Sequence, residues 1–282
     1  MLRSMYAGIS GMKGFQAKLD TIGNNIANVN TFGYKKGRTT FQDMMSQTIS
    51  GAQGPSANSL LGGKNPSQVG LGSQIGSVDT IHTQGNRQTT NRPLDLAIEG
   101  DGMFVLAENL GAGNNVQGST LSFSRAGNFY LDTEGNIVSS NGQYLVGVDG
   151  NNSPTILNIP ATAQSFSIQS NGDVTYVDDA SKAQSAGTVS LANFANPEGL
   201  EKVGGNMYRA TNNAGEFNIL EDLSAPGSNG TGQTVAGALE MSNVDLSEEF
   251  TEMITAQRGF QANTRIITTS DEILQELVNL KR

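Results

Sequence analysis

The chain is predicted to adopt an α+β fold, with N- and C-terminal helices forming a paired, coiled-coil-like domain and a mainly antiparallel β middle domain. Three observations predict it. A helical apolar stripe lies at each end, period-two alternation between turn signals fills the middle, and stretches rich in Gly, Ser, Asn and Pro separate them.

The first stripe runs from Ser4 to about Asn30. Apolar residues recur at Met5, Ile9, Met12, Phe15, Leu19, Ile22, Ile26 and Val29, in steps of three and four. Gly8, Gly11, Gly14 and Gly23 interrupt it, each costing about 1 kcal/mol in an isolated helix, so this helix needs a partner to persist. Four amides crowd its end: Asn24, Asn25, Asn28 and Asn30. Asparagine competes for nearby backbone groups and is a poor helix former. The expectation is that Asn24, Asn25 and Asn28 lie off the apolar stripe and fix register against adjacent copies. Asn30, Phe32 and Gly33 then release the helix through a left-handed cap.

The second stripe begins at Leu246. Residues seven apart read Leu246, Met253, Phe260, Ile267 and Leu274, with companion positions Phe250, Gln257, Thr264, Asp271 and Val278. Ile254, Ile266, Ile273, Leu277 and Leu280 widen the stripe. Asp245 or Ser247, with Glu248 and Glu249, makes an acidic start, and Lys281 and Arg282 a basic end, both suited to the helix dipole.

Between the helices, "LDLAIEGDGMFVL" reads as two strands around Asp101-Gly102. "FYLDTEGNIVSSNGQYLVGVDG" reads as strands separated by turns at Glu134-Gly135-Asn136 and Asn141-Gly142. "SFSIQSNGDVTYVDD" reads as a hairpin at Asn171-Gly172. The expected organisation is a terminal helical polymerisation domain (1–34 with 244–282), an extended connector (35–75 with 221–243) and a β-rich outer domain (76–220). Helices held apart from a β domain by linkers bury their stripes against each other or against other copies, which suggests an assembly subunit.

Composition narrows the function classes. A net charge of -9 excludes a basic nucleic-acid footprint, and no apolar run is long enough to span a bilayer. The first residues lack the apolar core of a cleavable secretory signal. With no cysteine, thiolate metal sites and cysteine nucleophiles are absent. His82 is the only histidine, so histidine metal sites and triads lack parts. "EGDGMF" lacks the spacing and the lysine of a phosphate loop and reads as a turn. Asp95, Glu99 and Asp101 read as turn and solvent groups rather than a glycosidase pair, and "DDAS" and "DTEGN" lack the ligands of a calcium loop. No catalytic, cofactor or metal residues are expected, and the chain is not expected to be an enzyme. A secreted glycan-active enzyme or an adhesin are the readings from other classes.

Four segments carry a family resemblance. "GISGMKGFQAKLDTIGNNIANVNTFGYKK", "RPLDLAIEGDGMFVL", "FSRAGNFYLDTEGNIVSSNGQYLVG" and "FTEMITAQRGFQANTRIITTSDEILQELVNLKR" resemble the N-terminal, central, hairpin and C-terminal motifs of the flagellar rod and hook protein family. The resemblance covers essentially the whole chain. It implies subunits exported through the flagellar type III apparatus without a cleaved signal, polymerising by their terminal helices into a tube at the hook–basal body. Within the family the linker from Ser46 to Thr90 resembles the hook member more closely, so a curved torque-transmitting hook is expected, with a straight distal rod as the alternative. Implied partners are other copies of the chain, the hook cap, the distal rod, the hook–filament junction proteins and the export apparatus. Nucleic acid and membrane insertion are not implied, and no cofactor is.

Overall fold

In the computed structural model, residues 2–54, 62–109, 116, 118–150, 153–215 and 217–280 are described. The chain divides into two compact units. One comprises Met1–Ala27, Gly37–Thr80 and Asp245–Arg282, and the other Asn28–Lys36 and Ile81–Val244.

The first unit holds the two long helices, α1 (Leu2–Ala27) and α2 (Leu246–Asn279), and a two-stranded ribbon. Asp245 caps α2, its carboxylate accepting from the backbone N–H groups of Ser247 and Glu248, so the acidic start legible in sequence is a true N-cap. In the ribbon, β1 (Gly37–Asp43) pairs antiparallel with β4 (Ser73–Thr80), and β2 (Ser46–Ser50) with β3 (Ser67–Gly70). An isolated two-stranded ribbon is marginal in water. This one is held on α1 by the Phe15 and Phe41 rings, 5.9 Å apart, and by the hydroxyls of Thr21 and Thr39 at 3.0 Å. Gly72 (φ +118°) passes so close to α1 that a Cβ would meet the Ser10 hydroxyl.

The ribbon corrects the connector expected over 35–75. Gly and Ser there mark turns, Gly76 and Ile49 are the unpaired residues at two register shifts, and Thr39, Thr40, Val69, Ile75 and Val78 supply strand-forming residues in register. Residues 55–61 of that expected connector, and the basic end at Lys281 and Arg282, lie outside the described residues. The return segment 221–243 is also strand-bearing. Gln233–Ala236 and Ala238–Glu240 pair with strands of the second unit, in which they are integral members.

The second unit is built on β5 (Arg87–Thr89), β6 (Leu96–Glu99), β7 (Met103–Glu108), β8 (Thr120–Ser124) and the strands that follow. Strand β7 is its centre, pairing with β8, with Tyr144–Val148 and with Leu191–Ala192. Phe104 and Leu106 point into one apolar cluster with Phe129, Ile137 and Leu145, while Met103, Val105 and Ala107 point into another with Phe123, Val146 and Tyr208. A strand buried on both faces reads as a continuous apolar run, which is how "MFVLA" reads. The hairpin Ser165–Ile168 to Asp173–Val177 turns at Asn171-Gly172 with Gly172 at φ +85°.

An ionic centre lies inside this unit. Lys35 is fully buried, with Nζ 2.6 Å from Glu240 Oε1 and donating to the Thr83 carbonyl at 2.7 Å. Arg125 donates to Glu240 Oε2 at 3.1 Å and to the Gly100 carbonyl at 2.7 Å, and the Gly85 N–H donates to Glu240 Oε1 at 2.9 Å. Burial pushes the Lys35 pKa down, and the Glu240 carboxylate opposes that shift. His82 sits beside this centre, its ring 5.5 Å from Tyr208. Burial, followed by the charges of Lys35, Lys202 and Arg125, lowers its pKa to about 4.

Removing one partner of a buried ion pair leaves the other charge uncompensated. Glu240→Ala therefore lowers unfolding stability by about 3–5 kcal/mol, read as a shift in the urea midpoint of the full chain. His82 provides a second check. Its folded pKa lies below the ordinary imidazole value of 6.5, so the unfolded chain binds more protons between pH 6.5 and 4. Stability falls as pH drops through that window and levels off below it, and the single imidazole NMR signal titrates near 4 rather than 6.5.

Candidate assembly interface

Within the first unit, α1 and α2 run antiparallel with a register fixed by small residues. A Cβ on Gly8 would touch Ile267 at 3.3 Å, one on Gly11 would meet the Asn263 amide at 2.8 Å, and one on Gly259 would meet the Phe15 ring at 2.5 Å. The glycines that weaken α1 in isolation are the ones that let α2 approach. Gly23 is different, facing open space. Lys18 and Glu252 form an ion pair at 3.0 Å along the same seam.

At the end of α1, Asn25 is buried and joins three segments. Its Nδ2 donates to the Gly37 carbonyl at 2.9 Å and to Glu249 Oε2 at 3.2 Å, and its Oδ1 accepts from the Gly37 N–H at 2.9 Å. Gly37 opens the ribbon and Glu249 lies in the first turn of α2, so one amide locks helix, helix and strand.

The expected stripe residues separate into groups. On α1, Ile22 is buried and Met5, Met12, Leu19 and Ile26 are half-buried, whereas Ile9 faces away from α2. On α2, Met253, Phe260, Ile267 and Leu274 are half-buried toward α1. Within the chain, Leu246 of that series and the companions Phe250 and Val278 are exposed and stay outside the α1–α2 seam. The positions that complete the seam are Glu249, Ala256, Asn263 and Ser270, one residue before the companion series. Asn263 fits there against Gly11, and Glu249 against the Asn25 amide. The sequence signal was present in the glycine spacing of α1, which marks a close-packed helix face as well as a weak helix.

The amide cluster is corrected in the same way. Asn25 lies on the buried face, and its partners are within the chain. Helix α1 ends at Ala27, so Asn28, Val29 and Asn30 lie past the helix in the second unit, where the Thr31 hydroxyl donates to Asn28 Oδ1 at 3.1 Å. Asn24 is on the exposed side of α1. Gly33 does adopt a left-handed φ of +68°, but six residues beyond the helix. Its cause is a close approach: a Cβ would lie 2.5 Å from the Ala126 nitrogen, while its own N–H donates to the Glu240 carbonyl at 2.8 Å.

Two apolar stripes on α2 stay outside the seam. Leu246, Phe250 and Ile254 follow one flank in steps of four, and Ile266, Ile273, Leu277 and Leu280 follow another. At about 100° per residue these flanks are roughly 150° apart. Ile254 is 59% exposed and Leu280 82%. No helix among the described residues is long and apolar enough to cross a membrane.

Over 282 positions, covering all of both chains, the sequence is 54% identical to the flagellar basal-body rod protein FlgG of Bacillus subtilis. The chain belongs to the flagellar rod and hook protein family. Residues 5–35 match the flagella basal body rod protein family, residues 97–176 the flagellar hook protein FlgE/F/G D1 domain, and residues 235–280 the flagellar basal body rod FlgEFG C-terminal family. Among relatives in Borreliella burgdorferi, the rod protein FlgG is 36% identical over 284 positions and the hook protein FlgE 29% over 456, each aligned across the whole of both chains. The chain is thus a structural component of the flagellum, in the rod and hook class that the terminal motifs suggested.

Two substitutions test the seam. Gly259→Leu forces side-chain atoms into the Phe15 ring and costs about 1–3 kcal/mol by overpacking, seen as loss of helical circular dichroism at lower temperature than in the parent. Asn25→Ala strands the Gly37 backbone groups and costs about 1–3 kcal/mol by the same measurement.

Proposed function

We propose that the chain is a rod subunit of the flagellar basal body, polymerising through its helical unit into a straight drive shaft. The observation that carries polymerisation is the pair of apolar stripes on α2 that its own chain leaves exposed. Monomeric proteins seldom display such surface along one helix, and copies of the same chain would cover it. Rod over hook is favoured by length: the rod relatives align end to end with little gap, whereas the 456-position alignment with the hook protein requires extra sequence that this chain lacks.

In this reading the helical unit forms the polymer wall and the β unit carries the remaining surface. The partners are other copies of the chain, the adjoining axial proteins and the flagellar export apparatus. The second reading is a compact hook subunit, the one favoured by the linker resemblance, and it predicts curved polymers.

Electron microscopy of polymers of the purified full chain separates the two. Straight rods, with rescue of motility in a strain lacking its rod protein and not in one lacking its hook protein, are expected. Curved tubes with the opposite rescue pattern would overturn the rod assignment. Phe260→Asp, which places a charge in the α1–α2 seam, is expected to abolish polymers while leaving the His82 titration of the β unit unchanged.

A further inference from the structure

The helical unit contains a groove of about 570 Å³ on the side of α1 turned away from α2. Its α1 wall presents Tyr6, Ile9 and Lys13, roughly 160° around the helix from the glycine seam at about 100° per residue. The ribbon supplies the opposite wall with Met44, Leu71 and Ile75. Tyr6 is 68% exposed, and Arg3 and Lys13 place two cations at the margin. The groove is apolar along its floor and basic at its rim.

The last described turns of α2, ahead of the basic pair Lys281 and Arg282 in the sequence, have the complementary character. Gly8 faces Ile267 and Gly11 faces Asn263, so Leu2 falls opposite about residue 273, and the last two turns of α2 continue beyond the described start of α1. In those turns Ile273, Leu277 and Leu280 form an exposed stripe, and Glu272 and Glu276 follow one of its flanks. Helix α2 packs on the glycine face of α1, and no described residue of α2 lines the groove of its own chain.

We propose that the groove of one copy receives the last two turns of α2 from a second copy. Ile273, Leu277 and Leu280 fill the apolar floor, and Glu272 and Glu276 meet Arg3 and Lys13. Groove and tail are different surfaces of one chain, so the contact is heterologous and propagates from copy to copy instead of closing as a two-fold dimer. It is a helix-in-groove recognition, read through residues three, four and seven apart. The proposal rests on the reading of the chain as a polymer subunit and names the surfaces that join successive copies.

The natural absence of cysteine makes the test clean. The full chain carrying Ile9→Cys and Leu277→Cys, assembled and then mildly oxidised, is expected to give a ladder of cross-linked oligomers on non-reducing gels. Mixing copies that carry only Ile9→Cys with copies that carry only Leu277→Cys gives dimers. The pair Ile9→Cys with Ile254→Cys, whose second site is on the other flank, gives at least tenfold less product. Polymers visible by microscopy that yield no Ile9–Leu277 product, or equal product from the control pair, overturn the proposal and leave the polymer reading standing. Failure of the unmodified chain to polymerise under any condition sinks both.

Charge exchange supplies the second arm. Arg3→Glu with Lys13→Glu raises the concentration needed for assembly at least tenfold, as does Glu272→Lys with Glu276→Lys. Combining all four restores it to within threefold of the parent. A combined variant that assembles no better than either pair overturns the proposed pairing.

Discussion

The close approach of α1 and α2 is the contact on which the helical unit depends. Asn25 and Glu249 are 224 residues apart in sequence, yet they share a hydrogen bond. Glycines on both helices make room for it, accepting weaker intrinsic helix propensity in exchange for backbone proximity. The ribbon is secondary to this pairing. It has no third strand, and it persists because Phe41 and Thr39 rest on α1 while Asn25 holds its first residue.

The same seam explains why the outward surface of α2 is so apolar. A helix of 34 residues with one partner buries one stripe, and the small residues Ala256 and Ser270 occupy much of that stripe. The seam combines these small residues with Met253, Phe260, Ile267 and Leu274. Further large apolar side chains, Phe250, Ile254, Ile273 and Leu277, lie on the flanks, on surfaces that a single copy leaves uncovered.

Much of the architecture was legible in the sequence. Periodicity located both helices, and the turn signals at Gly135, Gly142 and Gly172 coincide with glycines in the left-handed region. Heptad spacing found Met253, Phe260, Ile267 and Leu274 but chose companions outside the seam, because apolar Phe250 and Val278 at the two ends of that series outweigh Glu249 on an apolar scale. What decides that choice is the shape of the opposing helix, which the α2 sequence does not contain. The ionic centre was missed for a related reason. Lys35, Arg125 and Glu240 stand in three distant motifs, and a charged residue in isolation reads as solvated. The ribbon reads in sequence as an extended connector because Gly, Ser, Asn and Pro over 50–74 outweigh short runs of β-branched residues that only pairing reveals.

The helical unit is assembled from both ends of the chain, and its two helices are separated by the entire β unit. A polypeptide broken off during synthesis anywhere before residue 246 carries α1 without the partner that fits its glycine face, and without the Glu249 carboxylate that receives the Asn25 amide. The β unit suffers as well if the break precedes Glu240, since Lys35 and Arg125 then share no acid. On the polymer reading, an incomplete copy lacks the helical unit that joins one subunit to the next, and the late arrival of α2 acts as an inspection of each copy for completeness.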